Sequence, residues 1–207
     1  MEYVRQLRYS LYTIFHPFKG FWGIKYEARG GLGASLTFLA VYILTQILRG
    51  QLSGYLFNEY YPDIVNAFLI IMQALALFFL WCLSNWCLTT LMDGEGSFRN
   101  IVTAVGYCLF PLIAANILAT VLSNILTVDE GTFLTYIDGL ALLWFALLLL
   151  SATVVVHQYS LVKTIGTSLL TVAVMLILVF IGLLCVSLVQ QVASFADAVY
   201  REIAYRV

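Results

Sequence analysis

Charge is scarce in this chain: Lys, Arg, Asp and Glu together make up 10% of its 207 residues, against about 25% in a soluble globular domain. That scarcity excludes a molecule whose surface is mostly wetted by water. Neither sign dominates, with 10 basic and 11 acidic residues, so no field exists to hold nucleic acid and no such partner is expected. Histidine is limited to His16 and His157. There is no H-E-x-x-H, no nucleophile elbow and no phosphate-cradling glycine loop, so the chain is expected to be no enzyme and to need no metal or cofactor. The four cysteines, Cys82, Cys87, Cys108 and Cys185, all lie inside apolar segments. Their spacing suits neither a redox pair nor a zinc site, and buried packing cysteines are expected.

What is abundant is apolar. Hydrophobic residues make up 62% of the chain and mean hydropathy is +0.96. They gather into segments that run from just after Gly33 to about Leu48, and over about Ile64–Met92, Asn100–Leu126, Tyr136–Val156 and Ile165–Val192. About 20 residues of helix cross a ~30 Å hydrocarbon core. The expected fold is therefore all-α: a polytopic membrane bundle of five transmembrane helices, preceded by an amphipathic interfacial helix. Residues 1–29 form a basic aromatic interfacial segment, 30–193 the transmembrane domain and 194–207 a short tail.

In the first segment Val4, Leu7, Leu11, Ile14 and Phe15 recur at helical spacing, and Pro17 predicts a bend at His16. Arg5, Arg8, Phe18, Lys19, Phe21, Trp22 and Lys25 combine aromatic rings with cations, the composition of a headgroup layer. These residues are expected to anchor the chain to membrane lipids. Basic rather than signal-like, the N-terminus is expected to be retained. The aromatic loop with Tyr55, Phe57, Tyr60 and Tyr61 is expected at the opposite interface. A cytoplasmic N-terminus puts Arg5, Arg8, Lys19, Lys25, Arg29, Arg99 and Lys163 on one side, so the positive-inside rule favours N-in and C-out in a cell membrane.

Polar residues inside the spans are few. Asp138 is expected to be solvated near a helix start, Asn85 to bond between helices, and His157 to lie at the interface. In the loop Asp93-Gly94-Glu95-Gly96 two carboxylates without further ligands predict a solvated turn rather than a cation site. The third span carries a small-residue face, Ala115, Ala119 and Ser123, beside a polar stripe, Asn116, Thr120 and Asn124. Two readings suit that pattern: close helix packing with bonds across the contact, or the lining of a path. Pro111, ahead of it, predicts a kink or break.

The run Val105-Gly106-Tyr107-Cys108-Leu109-Phe110-Pro111 resembles the Yip family, the Ypt-interacting membrane proteins, whose third span carries G-Y-x-x-x-P. Gly106, Tyr107 and Pro111 match it. His16-Pro17-Phe18, Gly20-Phe21 and Ile24-Lys25 look like the start of the short prokaryotic members. Eukaryotic members carry a long hydrophilic arm and a D-L-x-G-P element before the first span; this sequence has Gly30-Gly31-Leu32-Gly33 there. The resemblance implies five spans and a prokaryotic plasma-membrane setting. The expected function is non-enzymatic association with another integral membrane protein or as a homo-oligomer, for instance as an accessory or scaffold subunit of a transporter. The alternative is a small transporter, channel or lipid-handling protein with a polar path along the third span.

Overall fold

The computed structural model describes residues 2–57 and 66–206. It is helical, with no strand among the described residues. Helix α1 (Glu2–Phe15) and α2 (Pro17–Tyr26) meet at His16, whose backbone leaves the helical region (φ −131°, ψ 68°). Pro17 causes this by restricting His16 and by opening α2 at a position that needs no backbone donor.

Five spans follow. They are α3 (Leu32–Leu52), α4 (Ala67–Leu91), the pair α5 (Phe98–Cys108) and α6 (Phe110–Ser123), α7 (Thr132–His157) and α8 (Leu161–Arg206). Each is long and apolar enough to cross a membrane, α5 and α6 counting as one. Side chains cap the starts: Asn66 accepts from Leu69 N at 3.2 Å, and Ser97 from Asn100 N at 3.3 Å. A single 3-10 turn, Val128–Glu130, leads into α7, so the fourth span starts earlier than Tyr136. Tyr60, Tyr61 and the expected start of the second span at Ile64 lie outside the described residues.

The bundle core sits around α5. Every residue from Ile101 to Leu109 is buried, enclosed by α3, α4 and α7, with α2 across its end. The break foreseen at Pro111 occurs: α5 stops at Cys108 and α6 restarts at Phe110, with Pro111 in its first turn, where the missing donor costs nothing. Helix α4 packs chiefly against α8 and α5, while α6 packs against α7 and α3. Beyond the break α4 and α6 therefore part.

The helix of the fifth span does not stop at Val192, since α8 continues unbroken through the tail to Arg206. At about 1.5 Å per residue its 46 residues reach ~69 Å, roughly twice the hydrocarbon thickness. Two expectations are corrected. Cys185 is no packing cysteine but faces outward on that helix, while Cys82 and Cys108 are buried. In α1 the face turned to the bundle is Leu7, Ser10 and Thr13, with both hydroxyls bonded to carbonyls of their own helix. Val4, Leu11 and Phe15, with Arg5 and Arg8, point outward.

Candidate functional site

The motif residues form the tightest seam in the bundle. A Cβ built on Gly106 would overlap Ser35 Oγ and lie 2.8 Å from Ser35 Cα, so α3 and α5 touch backbone to backbone there. Ser35 Oγ donates to Val102 O at 2.7 Å, which satisfies a hydroxyl with no access to water. Tyr107, 1% exposed, lies edge-on to Phe38 with centroids 5.2 Å apart. Its hydroxyl leaves the core and donates to Gln6 O of α1 at 3.0 Å. One tyrosine thus ties the interfacial helix to the centre of the bundle. Tyr107→Phe keeps the ring and loses the bond, at a cost of about 1 kcal/mol. Hydrogen exchange across residues 2–15 is expected to quicken roughly fivefold while α5 stays protected.

The small-residue face and the polar stripe are consumed in packing. Ala115, Ala119 and Ser123 are buried. Asn116 Nδ2 donates to Thr45 Oγ1 at 3.3 Å, and Asn116 Oδ1 accepts from Arg49 at 3.1 Å. Thr120 Oγ1 donates to Asn116 O at 2.7 Å, and Asn124 Nδ2 to Leu52 O at 2.9 Å. Ser123 Oγ accepts from Gly54 N at 3.0 Å. Four of these bonds join α6 to α3 and the turn after it.

Asp138 is not merely solvated. Arg49 holds it with two parallel bonds, 2.7 and 2.6 Å. No sequence spacing links these two residues, 89 positions apart, and the pair stayed hidden until the spans were packed.

At the end carrying α1 and α2, Phe21 and Lys25 turn inward and are not headgroup anchors. Phe21 is 1% exposed in the core, and Lys25 Nζ donates to Val156 O at 2.9 Å and pairs with Glu95 at 3.4 Å. A cation at the last turn of α7 suits the free carbonyls there. Phe18, Lys19 and Trp22 do face out, with Tyr9 and Arg29, around an open cavity of about 540 Å³. Burial raises the Tyr9 phenol, against the opposing pull of Arg29, and burial and Asp93 raise that of Tyr159. Both rings remain neutral at physiological pH.

His157 is buried rather than interfacial. Its Nε2 lies 3.0 Å from Asn85 Oδ1, and Asn85 Nδ2 donates to Thr171 Oγ1 at 3.4 Å, linking α7, α4 and α8. The acidic glycine loop closes over it, because a Cβ at Gly94 would come 2.7 Å from His157 Nδ1. The loop is a packed lid on the bundle end. Among the described residues no three His, Cys, Asp or Glu side chains group as metal ligands.

The bonds of these side chains join α1 to α5, α3 to α6 and α7, and α4 to α8. The chain matches no curated protein and no solved structure. The family model of the Yip1 domain matches residues 11–183, which takes in the last turn of α1, all of α2, the Gly106-Tyr107 seam and the first four spans with the first half of α8, and the chain belongs to that family as a multi-pass membrane protein.

Proposed function

We propose that this Yip family protein performs no chemistry of its own and acts by association within the membrane, as a homo-oligomer or as an accessory subunit of a larger assembly such as a transporter. The observation that carries this reading is α8. From Val179 to Ala198 every residue faces outward, so roughly 30 Å of α8 buries no residue against the other described residues. Gly182 sits on this stretch, and a Cβ there would meet nothing within 4 Å. A helix-interior glycine costs about 1 kcal/mol relative to alanine. Gly106 offsets that cost by close packing; Gly182 has no such compensation among the described residues, and small residues of this kind let two membrane helices approach. The orientation that accompanies the reading is N-in and C-out in a prokaryotic plasma membrane, supported by the basic residues at the α1–α2 end. Arg5, Arg8, Phe18, Lys19 and Trp22 then anchor that end to the cytoplasmic leaflet.

Cys185 lies three residues from Gly182 and is the natural probe. In native membranes a short bis-maleimide is expected to capture one defined species through Cys185, either a dimer or a stoichiometric membrane partner. Cys185→Ser is expected to abolish capture, and Gly182→Leu to weaken association about tenfold. A monomer that captures nothing at physiological expression would overturn the reading. The rival polar path finds little support, since Asn116, Thr120 and Asn124 spend their side chains on bonds to neighbouring backbone and side chains.

A further inference from the structure

Helix α8 stands clear of its own bundle over its second half. Asn85 of α4 donates to Thr171 at 3.4 Å, and Lys163 Nζ donates to Met92 O at 3.0 Å, so the two helices run antiparallel and nearly in step. Counted back along α4 in that step, its first residue, Ala67, falls level with about Val189. Past that level every residue from Gln190 to Ala198 is exposed, and the helix runs on to Arg206, a further ~25 Å in all. Helices draw most of their stability from packing an apolar face rather than from propensity. This projecting part therefore needs a surface that the other described residues do not supply.

The face that needs covering has a period. Val179, Gly182, Val186, Val189, Ala193 and Ala196 recur at alternating spacings of three and four, and Tyr200 continues the series. The mean interval of 3.5 residues, held over three heptads, is that of a left-handed helix–helix seam. Its register survives the change of polarity along α8. Before Val192 the seam is the small and β-branched side of an apolar stretch whose other sides carry Phe180, Leu184 and Leu188. After Val192, Ala193, Ala196 and Tyr200 hold the seam while Ser194, Asp197 and Arg201 fall beside it. Lipid touches every face of a span alike and sets no such period, and no lipid reaches the projecting part.

We propose that a second copy of this chain covers the seam, the two α8 helices lying parallel and in register about a two-fold axis. Such a dimer rests on the association reading above and narrows it to one partner. Two copies in one membrane with one orientation bring identical helices to the same height, so the projecting parts meet along their whole length. Each seam residue then faces its own counterpart, and like charges opposed in this way would repel. None of the seven seam residues is charged, and Asp197 pairs with Arg201 inside its own helix at 2.9 Å. Valine at alternate seam positions, Val179 and Val186, favours two strands over three or four, and Gly182 lets the axes approach. A different membrane protein would have to bring a helix of the same projection and period to cover the same face.

Disulfide scanning in native membranes tests the dimer. The full-length protein carries Cys87→Ser and Cys185→Ser, Cys82 and Cys108 being buried, together with one added cysteine. Under copper–phenanthroline, Val186→Cys, Val189→Cys, Ala193→Cys and Ala196→Cys are each expected to give about fivefold more disulfide dimer than Leu184→Cys, Gln191→Cys and Ala198→Cys on the opposite face. An antiparallel pair would link like positions only where the helices cross. All of these positions are exposed, so no variant disturbs the core. With native Cys185 restored, Ala196→Glu is expected to lower the dimer captured by the bis-maleimide about tenfold, and Ala198→Glu to leave it within about twofold. Disulfides that are absent or uniform along the scan, or equal effects of the two glutamates, overturn the dimer. If Cys185 then captures a different membrane protein, association stands and the second copy falls; if it captures nothing, both fall.

Discussion

Gly106→Ala will destabilise the bundle by about 2–4 kcal/mol, and Gly106→Leu will leave no folded protein to purify. The alanine methyl collides with Ser35, and the nearest backbone atom, Ser35 Cα, lies 2.8 Å from it. No rotamer change relieves a backbone clash, so α3 must move away along its contact with α5. Overpacking of this kind costs ~1–3 kcal/mol, and displacing Ser35 Oγ from Val102 O adds roughly 1 kcal/mol. The neighbouring Tyr107 amplifies the effect, because a shifted α5 also misplaces its bond to Gln6. Reversible unfolding in bicelles provides the measurement. Ser35→Gly in the Gly106→Ala background is expected to recover about 1 kcal/mol, although alone it destabilises; such non-additivity is the mark of two residues in contact. Wild-type stability for Gly106→Ala would show that the helices are not in backbone contact at this point.

The motif was legible as a motif, and its mechanics were legible in part. Pro111 announced the break because proline removes a donor and crowds the preceding turn wherever it stands in a helix. A glycine in a span lets a neighbouring helix come close, but nothing marked the partner of Gly106: Ser35 lies 71 positions earlier in a stretch with no distinguishing pattern. The five spans followed from length and hydropathy, whereas the length of α8 did not. Hydropathy falls after Val192, yet Ala193, Ala196 and Arg201 are good helix formers, and the Asp197–Arg201 pair at 2.9 Å reinforces the helix. Polarity was a good guide to which side chains matter and a poor guide to which way they point. Lys25 and Phe21 suit a headgroup layer by composition, but α2 lies against α7, and its inner face is fixed by which residues meet the end of that helix. His157 looked interfacial from its place at a turn. Its burial depends on Gly94 and Gly96, which let the loop fold close over the ring.

Arg49→Leu, leaving Asp138 unpaired, will destabilise the bundle by about 2–3 kcal/mol, whereas the double variant Arg49→Leu/Asp138→Leu will lie within about 1 kcal/mol of wild type. Breaking a fully buried ion pair from one side costs ~3–5 kcal/mol, because the stranded charge keeps its desolvation penalty and loses its partner. The side chains here retain 29% and 41% of their surface, which moderates the figure. Removing both charges eliminates the penalty with the attraction, and apolar replacements are tolerated at such sites. Asn116 then loses the Arg49 donor but keeps its bond to Thr45, so a residual cost remains. A double-mutant cycle on the same unfolding assay should return a coupling of about 1.5 kcal/mol or more between positions 49 and 138. The size of the coupling and its response to salt separate two roles for the pair. A surface pair at the headgroups couples by less than ~1 kcal/mol and fades in molar salt, while a pair that clamps α3 to α7 at the end of the polar stripe keeps most of its coupling there. In the second case Arg49, Asp138 and Asn116 fix how α3, α6 and α7 meet. Both singly charged variants should then also loosen the turn around Gly54, which is tied to α6 through Ser123.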